Sequence, residues 1–314
     1  MRAVTIRSFG GPEVLQVEDL PMPVAAAGEV VVKVAAATIN PTDLNLRKGT
    51  QAAQLKTPPP YIAGMEFSGH VHALGAGTSG LAIGQPVMGI VNSRRPRGGG
   101  QVEYIALPAA SVVAVPNGFD LALAATIPMN GLTAKLSVDF LALSKGAPIL
   151  VTGGAGALGG YVIQLARHAG LRVIADAKDS DRALFGQLGV SDIVPRGDGM
   201  NAAVRALCPD GVAGAIDCAC LNDTAAALVR DGGPFVSVRK SLVLGATHAA
   251  RLRHTYVSVT EHTDDHAELQ WLAARWAEGT LTPRVEVRLP CTAAIEANRR
   301  VEAGGLRGRV VLTF

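Results

Sequence analysis

Short apolar runs alternate with polar positions over residues 1–115 of the chain. The alternating, β-branched segments predict short strands at Val14–Val17, Val30–Ala36, Gly69–Leu74 and Val87–Val91. Glycine- and proline-rich turns separate these segments. Many short strands divided by turn signals predict a barrel-like, all-β region.

The pattern changes at about Leu121, where helical spacing of apolar residues alternates with short Val/Ile/Ala runs. The runs predict strands at Pro148–Thr152, Arg172–Ala175, Ile193–Pro195, Ala215–Cys218 and Pro234–Val238. The segments between them predict helices at Leu158–His168, Asp181–Leu188, Met200–Cys208 and Asn222–Arg230. This alternation is typical of βαβ units around a parallel sheet.

Past Thr260 the pattern predicts two more helices and two more strands. They are the helix Asp264–Glu278, the strand Val285–Leu289, the helix Ala293–Glu302 and the strand Arg309–Thr313. We expect this tail to pack back on the first region, so that the first domain is discontinuous. The biased segment Ser93–Gly100 is predicted to be a mobile loop.

A glycine-rich turn follows the predicted strand Pro148–Thr152 and opens the next helix. Its glycines, Gly154, Gly156 and Gly159, have the GxGxxG spacing that allows a tight turn, close approach to a pyrophosphate and close helix–strand packing. The helix start, at Ala157 and Leu158, offers backbone amides to phosphate oxygens. The turn lacks the Lys-Ser/Thr ending of a P-loop. It therefore predicts a dinucleotide site rather than triphosphate hydrolysis.

Charges after the second predicted strand bear on which dinucleotide binds. Asp176 at the strand end favours the ribose hydroxyls of NAD, although it follows the last glycine somewhat sooner than expected. Lys178 and Arg182 favour the 2′-phosphate of NADP. We interpret the two cations as favouring NADP, and the NAD alternative stays open.

Composition excludes several other classes of protein. The 314 residues suggest about two domains, and 48% hydrophobic residues are ample for a buried core. A net charge of +3 lacks the basic excess of a nucleic-acid-binding domain. We find no run long enough to span a membrane and no secretory signal, and therefore expect a cytoplasmic protein.

The metal-ligating residue types do not form a convincing set. Four cysteines do not make a disulfide framework in a chain of this length. The pairs His70/His72, His262/His266 and Cys218/Cys220 have suggestive spacings but lack further ligands nearby. No metal site is predicted.

With the glycine turn in view, the chain resembles the medium-chain dehydrogenase/reductase superfamily, and within it the zinc-independent quinone oxidoreductase-like branch. The resemblance covers essentially the whole chain. Its landmarks are FGGPEVLQVEDLPMP (Phe9–Pro23), GEVVVKVAAATINPTDL (Gly28–Leu44), YIAGMEFSGHVHALGAG (Tyr61–Gly77), TGGAGALGG (Thr152–Gly160) and RGRVVL (Arg307–Leu312).

The resemblance implies an α/β fold with two domains. A GroES-like β-barrel substrate domain would comprise residues 1–122 and 265–314, and a Rossmann domain with a doubly wound parallel sheet residues 123–264. It also implies NADPH-dependent hydride transfer to a quinone or an α,β-unsaturated carbonyl, in a homodimer. The chain departs from the zinc-dependent relatives, because Asn40 stands where they have a cysteine and Met65 where they have a histidine. Neither residue replaces those zinc ligands.

The resemblance also implies roles for individual residues. Asn40 would orient the nicotinamide or the substrate, and Tyr61 is a candidate proton donor, with solvent as the alternative. The cofactor contacts would be Thr133, Gly154, Gly156, Ala157, Leu158, Gly159, Lys178, Arg182, Arg196 and Ser237.

Two other functions stay open at this stage. One is an enoyl-thioester reductase of the fatty-acid or polyketide type, which shares this architecture. The other is a non-enzymatic, RNA-binding role carried by Arg94, Arg95 and Arg97, as some quinone oxidoreductase-like proteins bind RNA. The arginines lack interleaved aromatic residues, so nucleic acid is not the expected partner.

Overall fold

The computed structural model describes residues 1–241 and 243–314. The strands within these residues are β1 (Arg2–Ile6), β2 (Leu15–Asp19), β3 (Glu29–Thr38), β4 (Tyr61–Ile62), β5 (Glu66–Leu74), β6 (Pro86–Ile90), β7 (Tyr104–Pro108), β8 (Val112–Ala114), β9 (Pro148–Thr152), β10 (Arg172–Ala177), β11 (Asp192–Pro195), β12 (Gly214–Asp217), β13 (Pro234–Ser237), β14 (Arg253–Tyr256), β15 (Val285–Pro290) and β16 (Arg309–Thr313). The helices are α1 (Pro41–Arg47), α2 (Leu121–Ala124), α3 (Pro128–Leu141), α4 (Ala157–His168), α5 (Arg182–Gln187), α6 (Met200–Leu207), α7 (Asp223–Ala226), α8 (Ala246–Arg251), α9 (His266–Ala277) and α10 (Ala294–Ala303).

The chain forms two compact units. The first comprises residues 1–129, 260–278 and 283–314, and the second comprises residues 130–259 and 279–282. The boundary falls after Met129, whereas the sequence predicted it after residue 122. Helix α3 therefore begins in the first unit and continues in the second.

The first unit is built on β3, in which seven of the ten residues are buried. β3 pairs antiparallel with β5, β7 and β16, and β15 lies parallel to β16 at the end of the same sheet. A smaller sheet has the order β2-β1-β4. The tail thus packs back on the N-terminal strands, as the sequence predicted. This is the GroES-like unit of an α/β fold.

The second unit contains a parallel sheet with the strand order β11-β10-β9-β12-β13-β14. This is the doubly wound, Rossmann-type order, in which the connections reverse direction between β9 and β12. β9 and β12 are buried at nearly every position, as expected for parallel strands covered by helices on both faces. Ligands of such sheets bind at the carboxyl ends of the strands beside this reversal.

Several elements differ from the sequence prediction. The helix predicted over Asn222–Arg230 is only the single turn α7, because Leu228 accepts a hydrogen bond from the Val212 amide and the chain leaves helical geometry. The strand β14 and the long helix α3 were not predicted. The Val14 end of the first predicted strand lies instead in a 3₁₀ turn over Pro12–Val14.

The segment Ser93–Gly100 is held by backbone hydrogen bonds rather than hanging free. The Gly99 amide donates to the Ile62 carbonyl at 2.9 Å, and the Gly100 amide donates to the Gly64 carbonyl at 2.8 Å. A Cβ atom on Gly99 would overlap the Gly64 carbonyl oxygen. The glycines that suggested mobility are needed for this close approach.

Candidate functional site

The turn between β9 and α4 places the glycine-rich sequence at the carboxyl edge of the parallel sheet. Gly153 has φ +64°, a conformation that glycine adopts at little cost. A Cβ atom on Gly159 would lie 2.8 Å from the Cα atom of Gly154, so the turn and the start of α4 pack backbone on backbone. Gly156, before the first residue of α4, has no side chain to cap the helix. The turn therefore presents main chain, suited to the oxygens of a diphosphate.

One side of the glycine turn is held by a carboxylate on β12. The Thr152 hydroxyl donates to Asp217 at 2.5 Å and accepts the Ala219 amide at 3.0 Å. Asp217 also accepts the amides of Leu221 at 3.0 Å and Asn222 at 2.7 Å. The end of β9 is thus fastened to the segment that follows β12.

The other side is held by Asp176 on β10. The sequence placed Asp176 at the end of the strand, facing a ribose, but β10 continues to Ala177 and the Asp176 carboxylate is buried. It accepts the Gly153 amide at 2.6 Å. Burial raises the pKa of Asp176, while the Gly153 hydrogen bond and Arg196 oppose that rise. Asp176 therefore faces the turn, not the outer end of the strand.

Three predicted cofactor-binding cations follow the carboxyl ends of β10 and β11. Lys178 and Arg182 are exposed, and Arg182 pairs with the exposed Asp179 at 3.3 Å. Arg196 is half exposed, and its Nε atom lies 3.9 Å from Asp176. The Arg182–Asp179 pair is exposed on both sides and therefore weak, so Arg182 can turn towards an incoming anion at little cost.

The two remaining predicted cofactor contacts, Ser237 and Thr133, belong to other elements than the glycine turn. Ser237 ends β13, at the same carboxyl edge, and its hydroxyl shares a 2.8 Å hydrogen bond with Nε2 of His254. Thr133 lies within α3, where its carbonyl accepts the Ser137 hydroxyl at 2.7 Å. Neither contact tests a cofactor role, and both assignments stay predictions.

The first unit contains a buried polar cluster formed by Thr38, Asn40, Glu66 and Arg309. One terminal nitrogen of Arg309 donates to Thr38 Oγ1 at 2.8 Å, to Asn40 Oδ1 at 2.7 Å and to Glu66 Oε1 at 2.7 Å. Thr38 donates to the same Glu66 oxygen at 2.7 Å, and the Met129 amide donates to the other at 2.8 Å. The side chain of Glu66 is fully buried and that of Arg309 is 7% exposed.

The cluster fixes the orientation of Asn40, one of the two predicted catalytic residues. Its Nδ2 atom donates to Thr38 at 3.1 Å and to Glu66 at 3.3 Å, and its Oδ1 atom accepts from Arg309. The amide hydrogens are therefore used within the cluster. The Nε atom of Arg309, in contrast, is buried and has no partner among the residues that the structure describes.

Asp43 binds the backbone of Asn40, a member of the same cluster. Its carboxylate accepts the amides of Asn40 and Gly64, each at 2.8 Å, which caps α1 and ties it to the strand region before β5. Burial raises the pKa of Asp43 to about 6, against a reference value of 3.8, although both amides favour the charged form.

The titration of Asp43 predicts how stability varies with pH. Because the native state keeps this proton up to about pH 6 and the unfolded chain releases it near 3.8, stability falls as pH rises through that window. The contribution amounts to about 3 kcal/mol, and Asp43→Asn should remove it. We expect urea unfolding at pH 4 and pH 7 to show the free-energy gap between variant and wild type shifting by about 2 kcal/mol, most of that amount, in favour of the variant. A gap that stays constant contradicts the assignment.

Tyr61, the other predicted catalytic residue, stacks on Phe9. The ring centroids are 5.6 Å apart and the planes nearly parallel. Tyr61 opens β4, which pairs with β1. Its hydroxyl has no hydrogen-bond partner within the described residues, so this O–H group is free to donate its proton to another molecule.

The donor set of the cluster does not fit a zinc ion. Across residues 1–241 and 243–314, no three His, Cys, Asp or Glu side chains come together as metal ligands. Met65 is buried, and Arg309 brings a positive charge to Glu66, where a metal would need that carboxylate. The Glu66 carboxylate, which a zinc ion would need, is thus already bound by the Arg309 guanidinium and the Met129 backbone amide.

Sequence reasoning missed Arg309, Asp217 and the burial of Asp176 against the glycine turn. Arg309 starts a predicted strand, where a charged residue is normally exposed. The signal that was available is Glu66, a carboxylate at the start of a run whose neighbours are apolar, since a buried carboxylate requires a partner.

The three arginines proposed to bind RNA each have a partner in the first unit. Arg94 donates to the Gln51 side chain at 3.0 Å, and Arg95 donates to the Gly98 carbonyl at 2.8 Å. Arg97 pairs with Glu29. These contacts favour a structural role for the loop.

The first half of the chain matches the family described as alcohol dehydrogenase GroES-like domain over residues 26–117. The second half matches zinc-binding dehydrogenase over residues 188–312. No helix in the described part of the chain has the length and apolarity needed to cross a bilayer.

The curated proteins similar to this chain include an alkenal/one oxidoreductase and a quinone oxidoreductase. The NADPH-dependent alkenal/one oxidoreductase of Arabidopsis thaliana is 30% identical over 76% of this chain and 62% of its own length. The quinone oxidoreductase of Sus scrofa is 32% identical over 56% of this chain and 53% of its own. The chain thus spans less than two thirds of these curated relatives.

Solved structures match over the full length. An NAD-dependent alcohol dehydrogenase shares 30% identity and a TM-score of 0.87, with all of both chains covered. The quinone oxidoreductase from Coxiella burnetii shares 26% identity and a TM-score of 0.88, covering 100% of this chain and 99% of its own. The GroES-like unit, the Rossmann-type unit and the glycine turn together give the architecture of medium-chain dehydrogenases and reductases. The chain belongs to the medium-chain dehydrogenase/reductase superfamily, among its quinone oxidoreductase-like members.

Proposed function

We propose that the chain is an NADPH-dependent reductase that transfers hydride to a quinone or an α,β-unsaturated carbonyl without zinc. The observation that carries the proposal is the glycine turn with its bare main chain beside three cations at one sheet edge. The names of the quinone and alkenal/one oxidoreductase relatives support the substrate class.

The residues of the turn fit a dinucleotide. The backbone at Ala157 and Leu158, together with the glycine residues Gly154, Gly156 and Gly159, would hold the diphosphate. Lys178 and Arg182 would hold the 2′-phosphate of the adenosine, with Arg196 beside the adenine. Thr133 and Ser237 complete the proposed contacts. When bound, NADPH supplies the hydride.

The first unit supplies the polar groups of the proposed chemistry. Negative charge develops on the substrate oxygen during reduction, and a nearby positive charge or hydrogen-bond donor stabilises it. Arg309 neutralises Glu66 and holds Asn40 in one orientation, so Asn40 is the fixed polar group of the cluster that we propose to act in the reaction. Hydride transfer to the β-carbon of an enone leaves an enolate, and Tyr61, whose hydroxyl makes no hydrogen bond within the described residues, stays the candidate acid that protonates it, with solvent as the alternative.

The zinc-free character of the proposal rests on the donor set. Asn40 and Met65 replace the thiolate and imidazole of zinc-dependent relatives, and Arg309 neutralises Glu66. We therefore assign no step to a metal. Two measurements test this assignment: the zinc content of the purified protein, and its activity after dialysis against a chelator. We expect the activity to be unchanged by the dialysis.

Neutralising the adenosine-end cations tests the choice of cofactor. We expect Lys178→Gln combined with Arg182→Gln to raise the KM for NADPH by about tenfold or more and that for NADH by about twofold or less, because only NADPH carries the 2′-phosphate. Steady-state kinetics with both nucleotides measures the two values. Lys145→Gln, an exposed lysine in the turn before β9, is the charge control and should change neither. Equal effects on both cofactors would refute the 2′-phosphate assignment.

Three substrates separate the proposed reaction from its enzymatic alternative. NADPH oxidation is followed with a benzoquinone, a small enone and a crotonyl thioester. Turnover of the quinone or enone with little thioester reduction supports the proposal. Preferred reduction of the thioester would instead indicate an enoyl-thioester reductase.

The remaining expectations are part of the same proposal. We propose a homodimer, to be tested by analytical ultracentrifugation, and a cytoplasmic location, to be tested by fractionation. An RNA-binding role would require affinity that falls steeply with salt and survives loss of the glycine turn. The internal partners of Arg94, Arg95 and Arg97 favour the enzyme over that role.

A further inference from the structure

We propose that Asp176 is a positioning residue that holds the dinucleotide-binding turn in shape, and that it does not select between NADH and NADPH. The inference rests on the proposed function, since it concerns the site at which the dinucleotide binds. It assigns to Asp176 a role different from the ribose contact that its position in the sequence suggested.

The direction of the carboxylate is the first part of the argument. A carboxylate that binds a ribose lies at the outer end of the second strand, where the adenosine rests. In this chain the residue at that end is Ala177, and Asp176 is 2% exposed. Its Oδ1 atom takes the Gly153 amide at 2.6 Å, a distance typical of a strong, charge-assisted hydrogen bond.

The rigidity of β10 makes this contact a fixed point. β10 pairs in parallel with β9 on one side and β11 on the other. Asp176 itself pairs with Val194 of β11, and the residue before it, Ala175, pairs with Val151 of β9, so the backbone at Asp176 is held in the sheet. Its Oδ2 atom lies 3.9 Å from Arg196 Nε, so the same carboxylate faces both the turn and one adenosine-end cation.

The turn needs such a support because of its own geometry. Gly153 has a positive φ, and a Cβ atom there would lie 3.2 Å from the Ala219 amide. Thr152, the preceding residue, is fastened to Asp217 on β12. The start of the turn is thus held from both neighbouring strands, by Asp217 through a side chain and by Asp176 through the backbone. Removing Asp176 would free the Gly153 amide and loosen the turn beneath the diphosphate.

The test compares two substitutions by calorimetric titration with NADPH and NADH. Asp176→Ala removes the acceptor, and we expect the Kd for both nucleotides to rise by about tenfold, the size of effect expected for loss of a charge-assisted hydrogen bond. The ratio of the two Kd values should stay within about twofold, because both nucleotides carry the same diphosphate. Asp176→Asn keeps an oxygen acceptor for Gly153 and should restore most of the affinity.

Kinetics and a matched control separate positioning from a general loss of stability. We expect Asp176→Ala to raise KM for both cofactors with little change in kcat, and melting curves to confirm that the variant is folded at the assay temperature. Asp210→Ala removes an exposed aspartate from the turn before β12 in the same unit and should leave both Kd values unchanged.

Two results would overturn the inference. One is a loss confined to NADH, with NADPH affinity kept or improved, which is the signature of a ribose contact. The other is unchanged affinity for both nucleotides in folded Asp176→Ala. If Asp176→Ala does not fold, Asp176→Ser, with a small acceptor, carries the same comparison. Failure of the wild-type protein to bind either nucleotide would refute the proposed function instead, so the two failures are distinguishable.

Discussion

Replacing Gly159 by alanine should weaken binding of NADPH and NADH by about 100-fold, which corresponds to about 2.8 kcal/mol. The added Cβ atom would lie 2.8 Å from both the Gly153 carbonyl carbon and the Gly154 Cα atom. These are backbone atoms, so the start of α4 must move away from the turn. That movement separates the helix amides from the turn amides that together face the diphosphate. Calorimetric titration with both nucleotides measures the loss.

Gly186→Ala is the matched control for this prediction. Gly186 lies in α5 of the same unit, and a Cβ atom there would meet nothing within 4 Å. Its replacement should leave both affinities unchanged and raise the free energy of unfolding by about 0.5–1 kcal/mol, since alanine is the better helix residue. If Gly159→Ala binds as tightly as Gly186→Ala, the glycine turn is not the dinucleotide site.

Replacing Arg309 by methionine should lower the free energy of unfolding of the first unit by about 3–5 kcal/mol. The substitution leaves Glu66 fully buried with its charge and without the guanidinium that compensates it. Thr38 and Asn40 also lose a donor. Urea unfolding followed by a signal from the first unit measures the change.

Two further variants show whether the buried charge is the cause. Arg300→Met breaks an exposed pair with Glu296 on α10, also in the first unit, and should cost no more than about 0.5 kcal/mol. Adding Glu66→Gln to Arg309→Met should recover a large part of the loss, because the uncompensated charge is gone. A similar loss for Arg309→Met and Arg300→Met would contradict the role of the pair.

Much of the fold was readable from apolar periodicity. Parallel strands such as β9 and β12 are buried on both faces, and their continuous apolar runs give the parallel sheet directly. β14 was missed because its sequence, Arg253–Tyr256, is polar and mostly exposed at the edge of the sheet. The helix predicted over Asn222–Arg230 failed because tertiary contacts outweighed its alanine-rich composition.

The sequence predicted the parts of the site in which the local backbone conformation requires particular residues. It did not predict the parts that depend on contacts between residues far apart in the chain. The glycine spacing follows from sterics within one turn, so a local pattern reveals it. Arg309 and Glu66 are 243 positions apart, and only the pairing of β16 with β3 brings them together. Predicting the direction of the Asp176 side chain would have required the end of β10 to be placed to within one residue, because successive side chains of a strand point to opposite faces.

The pairing of β16 with β3 also has a consequence for synthesis on the ribosome. β3 and β5 are made early, but the strands β15 and β16 that complete their sheet come from the last segment of the described chain. The whole Rossmann unit is translated in between. We therefore expect the Rossmann unit to fold first during translation. Glu66 has no counter-charge until Arg309 has left the exit tunnel of the ribosome.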